Sequence, residues 1–202
     1  FKGFFDRTID TNKYESRSSE SFVDISAREN YLFNSTINGI EEADLILLVG
    51  TNPRFEATMV NARIRKAHLN NNTKIISLNN VGDLTYTYNF LDGKTQTIKD
   101  IAENKHEVTQ NILDSKKPLI ILGDSFLNTK SANYLFYSFK NFLLKNNKFT
   151  DHWNPLNILS TDAATVGNFD LDIINEKDNL IKDLKENKFE LIYLLGQDNL
   201  NF

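Results

Sequence analysis

EEADLILLVGTNPRFEATMVNARIRK, residues 41–66, is the stretch that decides the fold. An apolar run from Leu45 to Val49 stops at Gly50, Thr51-Asn52-Pro53 follow, and a helical pattern begins near Arg54. Buried strand, tight turn and capped helix in this order open a βαβ unit. Thr51 or Asn52 offers a side-chain oxygen to an otherwise free N–H of the first helical turn. Pro53 suits the first helical position, where its missing N–H costs nothing. Glu56 lies early in the helix and Arg63, Arg65 and Lys66 lie late, so the charges complement the helix dipole. Phe55, Met59 and Ala62 form one apolar stripe, and Val60, Ile64 and Ala67 form another. A helix apolar on two sides is expected to be covered twice, by its own sheet and by a second domain or subunit.

Outward from this unit the pattern repeats. Residues 74–78 and 119–122 read as further buried strands, the latter closed by Gly123, and residues 189–195 read as a last strand closed by Gly196. Between them the spacing predicts helices over 54–69, 97–103, 107–115, 131–144 (Leu135, Phe139 and Phe142 on one face) and a polar one over 176–186. Residues 79–93 are a loop with turn signals at Gly82 and Gly93, and residues 151–160 are a connector holding the single tryptophan, Trp153. Apolar strands ending in glycine and separated by helices predict an α/β fold with a parallel sheet and Rossmann-like layers. The division expected is a polar lead-in segment over 1–40 and the α/β domain over 41–202. The start at Phe1 and the stop six residues after Gly196 lead to the expectation of a domain incomplete at both ends.

Composition narrows the classes. The 202 residues carry 40% hydrophobic and 25% charged side chains, as a globular domain does. A net charge of −4 gives no basic field for nucleic acid, and no apolar run approaches the roughly 18–20 residues of a membrane-spanning helix. Without cysteine the sequence supplies no disulfide, thiol nucleophile or thiolate ligand for an iron–sulfur cluster.

The candidate site is the turn Gly50-Thr51-Asn52, because backbone N–H groups at a helix N-terminus hold phosphates in nucleotide-binding folds. Its signal is weak: one glycine rather than a Gly-x-Gly-x-x-Gly series, and no Walker lysine. A plain strand-to-helix turn has the same sequence. Asp83 stands where dinucleotide folds carry a ribose-binding acid, yet turn acids are common. Asp124-Ser125 after Gly123 reads equally as a helix cap. His68, His106 and His152 are isolated, so no metal-ligand spacing exists. Glu41-Glu42 reads as solvated surface, and Arg63, Arg65 and Lys66 as a solvated helix end. The residues alone reach an α/β domain of nucleotide-fold type without a catalytic set.

Longer blocks go further. Asn30-Tyr31-Leu32-Phe33-Asn34-Ser35, Ile40-Glu41-Glu42-Ala43-Asp44, Gly50-Thr51-Asn52-Pro53-Arg54-Phe55-Glu56-Ala57 and Asn61-Ala62-Arg63-Ile64-Arg65-Lys66 resemble the large iron–sulfur subunit family of respiratory complex I, the 75 kDa or G subunits, in their C-terminal molybdopterin-oxidoreductase-like domain. Asp83-Leu84-Thr85-Tyr86-Thr87-Tyr88, Lys116-Lys117-Pro118, Leu122-Gly123, Trp153, Asn157-Ile158-Leu159 and Leu194-Leu195-Gly196 follow in the family's order. The resemblance implies a non-redox scaffold in the peripheral arm of the proton-translocating NADH:ubiquinone reductase, on the matrix side of the mitochondrial inner membrane and not inserted in it. It implies no catalytic residue, metal or cofactor in this chain, with Gly50, Thr51 and Asn52 as a vestigial cofactor turn. Iron–sulfur clusters and FMN are expected elsewhere in the complex. Other complex I subunits are the expected partners, above all the cluster-bearing part of the same subunit, and nucleic acid is not one. Heavy use of Asn, Lys, Ile and Phe fits an AT-rich organellar genome. The alternative is a working molybdopterin- or nucleotide-binding oxidoreductase domain.

Overall fold

All five residues of strand β1, Leu45–Val49, are buried, because the strand lies mid-sheet with apolar layers on both faces. The computed structural model describes residues 2–11, 13–16, 21–174 and 180–196. They fall into two compact units, Ser19–Ala163 and the pair of segments Phe1–Ser18 and Ala164–Phe202.

The sheet belongs to the first unit. Its strands are β1, β2 (Lys74–Ser77), β3 (Asn89–Phe90), β4 (Pro118–Gly123) and β5 (Leu156–Leu159). Their order is β3-β2-β1-β4-β5, and every pairing is parallel, as the sequence predicts. Side chains alternate between two cores, as strand geometry requires. Leu45, Leu47, Val49, Ile120 and Leu122 meet Ile98, Ile112, Phe136, Phe139 and Leu143 on one face. Ile46, Leu48, Ile75, Leu119 and Ile121 meet Ile64, Leu84, Ile40 and Trp153 on the other. The helices that follow β1 are α1 (Pro53–Glu56), α2 (Thr58–Asn71), α3 (Thr95–Ala102), α4 (Glu107–Asp114), α5 (Asp124–Leu127) and α6 (Ala132–Lys145), and α2, α3, α4 and α6 supply Ile64, Ile98, Ile112 and the Phe136, Phe139 and Leu143 group.

Four expectations need correction. The helix read over 54–69 is two helices that break at Ala57, whose backbone is extended (φ −151°, ψ 75°), and it runs on to Asn71 before a left-handed cap at Asn72. The connector over 151–160 contains β5. Asn154, Asn157 and the preceding Pro155 conceal this strand, but Asn157 is fully buried and bonds Ser35 through its amide. The segment before β1 covers the outer edge of β5, with Ile158 N–H donating to the Leu32 carbonyl and an antiparallel bridge joining Phe33 and Asn157. An edge closed this way cannot recruit another strand. The loop over 79–93 contributes β3.

The fourth correction lies in the second unit. Residues 189–195, apolar enough to read as a strand, form none, and Leu191 (81%), Tyr193 (65%) and Leu195 (62%) are exposed. A strand needs a neighbour to satisfy its backbone, and this segment has no ladder partner among the described residues. The unit otherwise holds short helices, Thr165–Asp170 and Leu180–Lys185, and Lys2 Nζ donates to the Leu171 carbonyl at 2.8 Å. Residues 176–179 of the polar helix read over 176–186 lie outside the described residues, as do residues 17–20 and everything after Gly196.

Candidate functional site

Ligand crevices in open parallel sheets form where neighbouring strands send the chain in opposite directions. In the order β3-β2-β1-β4-β5 that point lies between the C-terminal ends of β1 and β4, at Gly50 and Gly123. Gly50 has φ +64°, a left-handed conformation in which glycine is at ease. A β-carbon there would stand 2.4 Å from the backbone nitrogen of Phe126. One on Gly123 would stand 2.5 Å from the Gly50 carbonyl oxygen and from Thr51 Cβ. The two strand exits are therefore in backbone contact, and Phe126, 3% exposed at the start of α5, fills the gap.

The Thr51 hydroxyl, the Asn52 N–H and the Asn52 side chain are spent internally. Thr51 Oγ1 donates to Glu56 Oε2 at 2.6 Å, and the Asn52 N–H donates to Glu56 Oε1 at 3.0 Å. Asn52 Oδ1 accepts the Arg54 N–H at 3.2 Å, capping α1, and Asn52 Nδ2 donates to the Val81 carbonyl at 3.0 Å. Glu56 thus places a carboxylate where this kind of turn would take an external anion. A phosphate seated there would lie against that carboxylate and would need the Gly50–Phe126 contact to open. Along the sequence Glu56 registers only as a dipole complement. Its position one turn after a capping Asn is the signal that gives its role away, a near relative of the capping box.

Asp83 is engaged as well. Its Oδ2 and its carbonyl both accept from Arg54 NH1 at 2.6 Å, and its Oδ1 accepts the Thr85 N–H at 2.7 Å. The Thr85 N–H, and after it the Arg54 guanidinium, hold its carboxyl below the usual range. The segment it opens is a strap on α2: Asn61 bonds the Leu84 carbonyl and the Tyr86 hydroxyl, and His68 lies between Thr73 O and Thr87 Oγ1, 3.0 Å from each. Burial first, and Tyr88 second, push the Tyr86 phenol up, so it stays a neutral donor. On the opposite flank Lys66 and, after it, Arg63 pair with Glu41 and hold its carboxyl below the usual range. The paired glutamates are thus tied rather than merely solvated, since Glu42 also bonds Lys117.

Asp124 accepts the Thr161 N–H at 3.0 Å and the Thr161 hydroxyl, tying the β4 exit to the chain after β5, while Ser125 is exposed. His106 caps α4 by accepting the Val108 N–H, and His152 is exposed. Gly196 lies in the second unit. Among the described residues no group of three or more His, Asp or Glu side chains is placed to hold a metal ion, and no helix is long and apolar enough to cross a membrane.

A profile of the molybdopterin oxidoreductase family matches residues 2–202. The chain is 36% identical over 174 residues to the mitochondrial NADH dehydrogenase [ubiquinone] iron-sulfur protein 1 of Solanum tuberosum, covering 86% of this chain and 23% of that protein. It is 37% identical to the NADH-ubiquinone oxidoreductase 75 kDa subunit of Reclinomonas americana, over 86% of this chain and 25% of that one. The G subunit of the NADH-quinone oxidoreductase of Rickettsia bellii is 32% identical over 98% of this chain and 28% of its own length. The chain spans about a quarter of the length of the curated relatives it matches. Parallel α/β architecture, the Gly50-to-Lys66 block and these matches together place the chain in the molybdopterin oxidoreductase family, with the 75 kDa and G-type subunits of NADH–quinone oxidoreductases as its relatives.

Proposed function

We propose that this chain is a structural, non-redox part of the peripheral arm of a proton-translocating NADH:ubiquinone oxidoreductase, on the matrix side of the mitochondrial inner membrane. It contributes shape, stability and assembly, while electrons pass through FMN and iron–sulfur clusters held in other segments or chains. Its partners are other subunits of the enzyme, above all the cluster-bearing part of the same subunit. The relatives support this reading, since each is named as a component of an NADH dehydrogenase or oxidoreductase. A sequence without cysteine supplies no thiolate for a cluster.

The observation that carries the non-redox half is the Glu56 carboxylate at the Gly50 turn. Gly50, Thr51 and Asn52 have the form of a cofactor turn, but the Thr51 hydroxyl and the Asn52 N–H are committed to Glu56 and the crevice to Phe126. A molybdopterin nucleotide brings phosphates, and phosphates do not fit beside that carboxylate. Gly50, Thr51 and Asn52 are then vestigial, kept because strand exit, cap and close packing need them with or without a ligand. No catalytic role is assigned to any residue.

The test is native mass spectrometry of the purified parent assembly with metal and pterin analysis. The chain should be recovered in a large species with NADH dehydrogenase activity and iron, free of molybdenum and pterin. The second reading, a molybdopterin- or nucleotide-binding domain, is favoured by the switch-point position of the turn. Pterin or nucleotide released with this chain would establish it and refute the scaffold.

A further inference from the structure

Helix α2 is held on three sides within its own unit: by the sheet through Val60 and Ile64, by the strap through Asn61 and His68, and by Glu41 through Arg63 and Lys66. The fourth side carries the other apolar stripe. Met59, Ala62 and Leu69 recur at helical spacing along α2, Phe55 stands before them on α1 across the break at Ala57, and Phe55, Met59 and Leu69 are 81%, 64% and 60% exposed. Solvent-facing helix sides are normally polar, and a line of large apolar side chains marks a contact surface. The flanks are basic. Arg54 pairs with Asp83, Arg63 and Lys66 share Glu41, and the remaining carboxylate of α1, Glu56, is turned inward onto Thr51 and Asn52. Arg65 is the excess cation: it donates from Nε to the Thr85 carbonyl at 3.3 Å and pairs with no carboxylate among the described residues.

We infer that this side of α1 and α2 docks an amphipathic segment of a different protein subunit, with apolar side chains over Phe55, Met59 and Leu69 and an aspartate or glutamate on Arg65. The inference rests on the reading that the chain works within a multisubunit assembly. Charge selects the partner. A second copy meeting this face about a two-fold axis would set cationic flank against cationic flank. An acidic segment turns the same excess into attraction and pairs Arg65 as the apolar stripe is covered.

The test is a photo-cross-linking side chain in place of Met59 within the intact parent assembly, with Arg65→Glu as a second variant. Both positions are exposed, so neither change disturbs the cores. The expected product joins Met59's position to a peptide of another subunit with Asp or Glu next to apolar residues. Arg65→Glu should lower its yield about tenfold, and Lys in place of the partner's acid should restore it in that background. Cross-links to another stretch of the same subunit, to a second copy of this chain, to lipid, or to nothing in an assembly that contains the chain would overturn the inference. Co-purification with NADH dehydrogenase activity is read from the same preparation. Loss of that activity association refutes the proposed function, while an acidic cross-linked peptide from whatever assembly holds the chain still upholds the docking surface.

Discussion

Replacing Gly50 by alanine separates packing from backbone strain when two other glycines serve as references. Gly82 has φ +80° with nothing within 4 Å of a built β-carbon, so Gly82→Ala meets only the left-handed backbone penalty, about 1 kcal/mol. Gly123 lacks a positive φ (−102°), but its β-carbon would stand 2.5 Å from the Gly50 carbonyl. Gly123→Ala therefore meets only overpacking, about 1–3 kcal/mol. Gly50 combines the two, with φ +64° and a β-carbon 2.4 Å from a backbone nitrogen that cannot rotate away. Gly50→Ala should then destabilise by about 2–4 kcal/mol, against a total of about 5–15 kcal/mol for an ordinary domain. The double variant should be less than additive, because both changes strain one contact. Urea unfolding followed by Trp153 fluorescence measures all four; this single tryptophan is 6% exposed and donates to the Pro118 carbonyl at 2.8 Å. A Gly50→Ala cost no larger than that of Gly82→Ala would refute the closed switch point, and leave the vestigial turn resting on the Glu56 carboxylate alone.

Other outcomes follow from single contacts. Glu56→Gln weakens the charge-assisted bonds to Thr51 and Asn52 and should cost about 1–2 kcal/mol in the same unfolding assay; if phosphate then stabilises the variant while leaving the native chain unchanged, the carboxylate is what excludes the anion. Asn157→Ala leaves the buried Ser35 N–H without its acceptor, while the Ser35 hydroxyl keeps its bond to the Asn154 carbonyl, and should cost about 1–3 kcal/mol, with faster hydrogen exchange at the Ile158 N–H; unchanged exchange there would count against the edge cover. Burial opposes ionisation of Asp44, but the Ser115 hydroxyl and the N–H groups of Lys116 and Lys117 outweigh it and hold its carboxyl below the ordinary value of 3.8. Its folded pKa is thus depressed: the stability it supplies is fully present above about pH 4, where the unfolded state is also ionised, and is lost as pH falls through the folded value. Asp44→Asn should flatten that acid limb in a pH series of urea midpoints, and an unaltered limb would show that Asp44 is not the linked group.

What was legible in the sequence depended on how local its cause was. The run Leu45–Val49, the glycine after it and the Asn52-Pro53 cap act within one turn of chain, so strand, turn and helix start were readable, and the parallel class with them. The strand β5 was not. Asn157 looks like a loop residue until Ser35, far away in sequence, buries and bonds its amide. Conversely residues 189–195 carry a strand's composition without a strand's neighbour. In a linear reading Asp83 stands where a ribose-binding acid would and His68 is isolated, whereas the fold makes both fasteners of the strap on α2.

By itself, then, the sequence determined which segments are apolar and at what period, where helices are capped, that no thiolate is present, and which family the 50–66 block resembles. These are properties of short windows, or of composition. Tertiary structure alone decided which stripe of α2 is covered, how the edge of β5 is closed, and that Glu56 and Phe126 fill the turn that would otherwise face a ligand. Periodicity shows that a face is apolar but not what meets it, since pairing and burial are made between residues far apart along the chain and only folding brings them into contact.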